Sequence, residues 1–259
     1  MNLKMIASWA GLLAAPSLFA SMQVTLLDNT GLSSHSDAGE FRAVGNDALD
    51  AVVNWEAYSS ATTGTVGATA AKSWSYKPSR AGGKYFETFW IEYDEMVSPG
   101  TPYNVGISDN SRFDQAGKYP ETPVTLGTAW LYSHFAAGTL AYIDMHGASK
   151  FYRYAYGTGR TSDAGALQAA IWFLQGEEGG LNNVWAQAAQ DALGGLTACE
   201  ADAKGRWGVK ALNLDVYGQT QNLLVVASVP EPPTHTAGAL LLLALGASTL
   251  RVSRKNRAA

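Results

Sequence analysis

Hydrophobic and polar positions alternate along MQVTLLDNT at residues 22–30, which predicts an edge strand closed by an Asn-containing turn. A short strand is expected at Gly39–Val44, and ALDAVVNWEAYS fits helix and strand equally. The small polar run 59–72 reads as a loop or hairpin tip, and KYFETFWIEYDE after it reads as a strand. A Pro-Gly turn at Pro99 and Gly100 leads into another short strand. The period then changes. Leu126, Ala129, Trp130, Ser133 and Ala137 recur at helical spacing behind Thr125, a good N-cap residue. Leu167, Ala170, Ile171 and Leu174 give a clear i, i+3, i+4, i+7 stripe, with Ser162 or Asp163 as the expected cap and Gly179–Gly180 as the stop. LNNVWAQAAQDALGG predicts a third helix, and WGVKALNLDVYG with QNLLVVASV predicts a closing hairpin. Strands, then helices, then strands is the order of an α+β fold, here expected as a β-sandwich or barrel-like lobe with an inserted three-helix lobe.

Both chain ends read as addresses. Residues 1–20 carry Lys4, an apolar stretch and small residues, the layout of a secretory signal peptide with cleavage expected after Ala20. The far end runs Val229, Pro230, Glu231, Pro232, then an apolar span over about 236–252, then Arg251, Arg254, Lys255 and Arg257 with no acid among them. The span is near the minimum for a bilayer of ~30 Å, and the bases hold that end in the cytoplasm. The body from 21 to 229 then lies beyond the inner membrane. It carries 13 bases and 21 acids, a net charge of −8, which argues against nucleic acid as a partner. Cys199 is the single cysteine, so no internal disulfide supports the body and its core must hold it together.

No HExxH, GxSxG, P-loop or CxxC pattern occurs, and no metal or cofactor is expected. Asp144 and His146 lie two apart, a spacing that carries little weight by itself. Glu92 and Asp94 follow Trp90 and make a candidate carboxylate pair for an exported enzyme. Tyr152, Tyr154 and Tyr156 alternate, which on a strand would line one face and offer a stacking surface for sugar rings.

The tail resembles the PEP-CTERM sorting signal of Gram-negative bacteria. That resemblance implies export, transient anchoring through residues 236–252, processing by exosortase, and a place at the cell surface or in an extracellular polysaccharide matrix. The body, over roughly Gly39 to Val226, resembles the thioester domain of surface adhesins. In that family an aromatic–Cys–apolar–acid strand motif supplies a thiol. A Gln-x-Ala-apolar-Trp helix motif supplies the carboxamide that the thiol attacks with loss of ammonia. The second motif is complete in Gln168, Ala169, Ala170, Ile171 and Trp172. The first reads Phe89, Trp90, Ile91, Glu92, so an indole stands in the cysteine's place. An indole has an N–H donor and no nucleophilic heteroatom, so the pair Trp90 and Gln168 cannot form a thioester. The expectation is therefore a non-enzymatic, surface-sorted protein of adhesion or matrix association. A glycan-binding module and an exported enzyme using Glu92 or Asp94 are the alternatives.

Overall fold

The computed structural model describes residues 21–27, 39–66, 83–93, 97, 100–111, 121–144, 150–215 and 222–228. The expected signal peptide, the tail from Val229 onward, Asp94 and His146 lie outside the described residues. In chain order the elements are β1 (Gln23–Leu27), β2 (Phe41–Gly45), α1 (Asp47–Asp50), β3 (Thr63–Thr65), β4 (Lys84–Thr88), β5 (Pro102–Ser108), β6 (Asn110–Ser111) and β7 (Thr122–Pro123). There follow α2 (Leu126–Ala136), β8 (Ala141–Asp144), β9 (Lys150–Arg153), α3 (Arg160–Gln175), α4 (Val184–Leu193), α5 (Leu196–Cys199), β10 (Val209–Asp215) and β11 (Leu223–Val226). The class is α+β. A seven-stranded antiparallel sheet in the order β11-β10-β5-β1-β2-β4-β3 is its main body, and β6–β7 and β8–β9 form two small ribbons.

One edge of β4 serves two partners. Lys84, Tyr85 and Phe86 pair with β3, while the residues just past the strand turn to β11 at the other end of the sheet order. The Leu224 N–H donates to the Phe89 carbonyl at 3.1 Å and the Ile91 N–H donates to the Asn222 carbonyl at 3.0 Å. The Thr88 hydroxyl donates to the Leu224 carbonyl at 2.6 Å. Trp90 faces Leu223 in this short antiparallel bridge. The two flanks of the sheet thus meet at residues 88–91, and the backbone groups of an otherwise open edge are satisfied there.

The helices follow their local signals at most ends. Thr125 caps α2 by accepting from the Thr128 N–H, and α2 is buried on most of its surface, including Ala129, Leu131, Tyr132 and Phe135. Asn183 caps α4, accepting the Trp185 N–H at 2.9 Å, and Gly194 ends it in the left-handed conformation. Two expectations for α3 are corrected. It begins at Arg160 behind Gly159, because Asp163 spends its carboxylate on the Ala155 N–H at 2.7 Å instead of capping the helix. It stops at Gly176, which takes the left-handed conformation at φ 77° three residues before Gly179. The expected long strand 84–95 also divides, and Trp90 takes part only as a single bridge. The segment that read as helix or strand becomes α1 and a 3-10 turn over Trp55–Ala57. Among the described residues no helix is long and apolar enough to cross a membrane.

Candidate functional site

At residue 90 the sheet lacks a backbone partner on one side. The β2–β4 ladder ends with Phe41 opposite Thr88. The next ladder position is occupied by a side chain from α3. The Trp90 N–H donates to Gln168 Oε1 at 3.0 Å, and Gln168 Nε2 donates to the Trp90 carbonyl at 2.9 Å. One carboxamide thus closes the same two-point ring that a residue of a neighbouring antiparallel strand would close. Gln168 is fully buried. Only a group with a donor and an acceptor at amide spacing can do this, and among the side chains that means Asn, Gln or a protonated carboxylic acid. The structure therefore brings Trp90 and Gln168 together, with the amide carbon facing the backbone of residue 90 rather than its indole.

The indole of Trp90 is 6% exposed and stacks on Phe41 with ring centroids 4.9 Å apart and planes 12° apart. Its Nε1–H is buried with no hydrogen-bond partner among the described residues. An orphaned donor of this kind costs about 1–3 kcal/mol, and the buried indole N–H of Trp185 in α4 is likewise without a partner among the described residues. Trp172, four residues beyond Gln168, donates its Nε1–H to the Glu92 carbonyl at 3.0 Å. α3 therefore holds both Trp90 and Glu92 through the two polar residues of the Gln-x-x-x-Trp pattern.

Glu92 is 7% exposed, and its carboxylate accepts from both the backbone N–H and the side-chain amide of Asn222, each at 2.9 Å. Burial raises its pKa, opposed by the hydrogen bonds from Asn222 and Ser111. This carboxylate ties the start of β11 to the end of the β4 segment, so its lone pairs are committed to the seam. Asp94, the other half of the candidate pair, is outside the described residues.

Cys199 is buried beside Gly127, at whose Cα an added carbon would lie 2.8 Å from the Cys199 Cβ. Burial pushes its thiol up to about 11. A neutral thiol in the α2–α5 contact supplies no thiolate to Gln168, whose carboxamide is already engaged.

The tyrosine surface expected at 152, 154 and 156 requires correction. β9 ends at Arg153, so the three residues do not share one strand. Tyr154 is 1% exposed, donates to Glu40 Oε2 at 3.0 Å, and packs edge-on against Phe135. Tyr156 is half-buried and donates to the Phe135 carbonyl at 3.0 Å. Two of the three rings are spent on the interior because the chain leaves the hairpin there and turns under α2.

A second buried polar group was not legible in the sequence. Arg160, in the first turn of α3, donates Nε to Glu40 Oε1 and Oε2 at 3.1 and 2.9 Å and pairs with Glu87 of β4 through Nη2. Its Nη1 donates to the carbonyls of Ala61 and Tyr156, each at 3.0 Å. Arg42 reaches Glu87 from the more exposed side at 3.4 Å. Glu40 and Glu87 are each 1% exposed. Gln175, in the last turn of α3, also escaped the motif reading. It accepts the Thr125 N–H at 2.8 Å and donates to the Pro123 carbonyl at 3.5 Å. The signal that could have found this set is spacing, because 160, 168 and 175 fall about two turns apart on one helix face.

Comparison with protein-family models, curated proteins and solved structures returns no match.

Proposed function

We propose that this chain is an exported, surface-sorted, non-enzymatic protein of adhesion or matrix association, built on a thioester-domain-like scaffold without the thioester. In this reading the sheet is the barrel-like lobe and α2, α3 and α4 are the inserted helical lobe. The observation that carries it is the two-point hold of Gln168 on residue 90. The residue of the Gln-x-Ala-apolar-Trp motif that would become the acyl donor is buried against the one position where the resemblance requires a thiol. The tail implies exosortase as processing partner and the cell surface or an extracellular polysaccharide matrix as destination. Neither alternative gains from the geometry, because Glu92 is tied to Asn222 and two of the three tyrosines are packed inside.

The test is Trp90→Cys. The introduced thiolate would attack the Gln168 amide carbon, a C–S bond would form, the C–N bond would break, and the nitrogen would leave as ammonia with a proton taken from solvent. The expected result is an intact mass lower by one ammonia, no titratable thiol at position 90, and a mass gain with methylamine. A folded variant at full mass with a free thiol at position 90 overturns the reading. Trp90→Ser opens the same cavity without a thiol and controls for folding, because removing a buried Trp costs about 3–5 kcal/mol.

A further inference from the structure

We propose that the turn over residues 203–208 is a docking site for the chain's own segment Pro230, Glu231, Pro232 and Pro233. The guanidinium of Arg206 pairs with the Glu231 carboxylate, and a proline ring packs on the indole of Trp207. The turn has an unusual backbone. Trp207 has φ 57° and Lys204 has φ 50°, the two positive values outside glycine among the described residues. For a side chain as bulky as Trp this conformation costs about 1–3 kcal/mol and persists only where the surroundings impose it. Here the Ala203 carbonyl accepts the Arg206 N–H at 2.9 Å and the Gly205 carbonyl accepts the Gly208 N–H at 3.0 Å. The outcome is a large ring held at the surface. Trp207 is 39% exposed, with the Arg206 guanidinium 4.7 Å from its ring centre.

β11 carries the chain to this turn. It runs antiparallel to β10 with Val226 opposite Val209, and the Ala227 N–H donates to the Gly208 carbonyl at 2.9 Å. Gly208 permits the approach, since a Cβ there would lie 2.9 Å from the Ala227 carbonyl oxygen. Because the strands are antiparallel, the step from Ala227 to Ser228 runs in the direction of Trp207 and Arg206. Glu231 follows Ser228 by three residues, a reach of about 10 Å when extended. Prolines on both sides favour that extended form, and aromatic surfaces take up such segments at low entropic cost. The charges also match. Asp109 and Lys210 form an ion pair beside Gly205, and Asp202 accepts the Lys204 N–H at 2.8 Å. Arg206 is exposed and forms no ion pair among the described residues. Between Ser228 and Arg251 the sole Asp, Glu, Lys or Arg is Glu231. Tethering three residues away gives this carboxylate a high local concentration at Arg206. A segment held in this way is withheld from an enzyme that takes it as substrate. That consequence rests on reading the tail as a sorting signal, whereas the docking does not.

The experiment is fluorine NMR of the full chain in neutral detergent, labelled with 5-fluorotryptophan. The Trp207 signal is identified by its loss in Trp207→Phe, and its accessibility is read as line broadening by a soluble gadolinium chelate. Glu231→Lys and Arg206→Glu should each shift this signal and raise its broadening about twofold, as expected for loss of an exposed ion pair. The double variant, with the charges exchanged, should return both values toward the parent. Residue 206 is exposed, so folding of the variant is not at issue, and the other tryptophan signals report it. A Trp207 signal that Glu231→Lys leaves unmoved overturns the proposal, as does a double variant no closer to the parent than the single ones. Protection of Trp207 that depends on protein concentration identifies a second copy as the occupant and also overturns it. So does protection that appears only when phosphatidylglycerol is added. None of these outcomes depends on the mass of the Trp90→Cys variant, so the two readings fail separately.

Discussion

Arg160 and Gln168 lie two turns apart on α3 and fasten that helix to the same sheet by opposite means. Arg160 uses charge, with one guanidinium shared between Glu40 and Glu87 and further donors given to two carbonyls. Gln168 uses a neutral amide that completes a backbone ladder at Trp90. A buried ion cluster is costly to assemble and more costly to break, since removal of one member strands the others in a medium that solvates them poorly. A buried amide clamp has a smaller desolvation cost and a stricter geometry. Gln175 makes a looser form of the second tie, its two bonds falling on different residues and one of them at 3.5 Å. An amide against backbone is thus a general device of this helix, and the motif residue differs from Gln175 in having both partners on one residue, at position 90.

The largest expected effect follows from breaking the charged tie. Arg160→Met should destabilise the fold by about 3–5 kcal/mol in urea unfolding, because Glu40 and Glu87 remain buried. Arg160→Lys should recover only part of this, since an ammonium cannot reproduce the guanidinium fork. A loss near zero for Arg160→Met would mean that the carboxylates escape to water and that the contrast between the two ties is false.

Next comes the comparison of the two glutamines. Gln168→Ala leaves the Trp90 N–H and carbonyl unpaired in the interior and should cost about 2–4 kcal/mol. Gln175→Ala, at a site with one long bond, should cost about 1 kcal/mol. Equal losses in denaturant unfolding would erase the distinction drawn for position 90. Gln168→Glu sharpens it further. The carboxylate has no donor for the Trp90 carbonyl, whereas the protonated acid has one, so this variant should gain stability relative to the parent as pH falls.

The smallest effect belongs to Glu92. Its pKa is raised by burial. A raised carboxyl contributes stability that is fully present below its unfolded value and is lost as pH rises through the folded value. Glu92→Gln should therefore gain on the parent as pH rises from the ordinary carboxylate range toward neutrality, and the difference should level off above the folded pKa. Thermal melts of both proteins across that range test the sign. A parent that gains on the variant with rising pH would mean that the Asn222 hydrogen bonds outweigh burial.

Much of the chain was legible in advance where the signal is local. Thr125 caps α2 as its side chain predicts, the stripe Leu167, Ala170, Ile171 and Leu174 faces the core, and β10 and β11 pair as a hairpin. Each of these is set by residues within a few positions, through capping geometry, helical period or a short loop. The errors came where a distant partner competes for the same group. Asp163 leaves the helix start for the Ala155 N–H, and Tyr154 leaves a surface pattern for Glu40, 114 residues away. The strand through Trp90 is cut short because β2 ends beside it and a glutamine takes the next ladder position.

By itself the sequence determined the α+β order, the two short motifs, the absence of a thiol at position 90, and the acidic balance of the body. These depend on residue identity and short-range period alone. The tertiary structure decided what the motif residues touch. It joined Phe89–Ile91 to β11, set Gln168 against the backbone of Trp90, and gathered Glu40, Glu87 and Arg160 into one cluster. A buried donor or acceptor must find a partner somewhere, and only the folded chain determines which group is within reach.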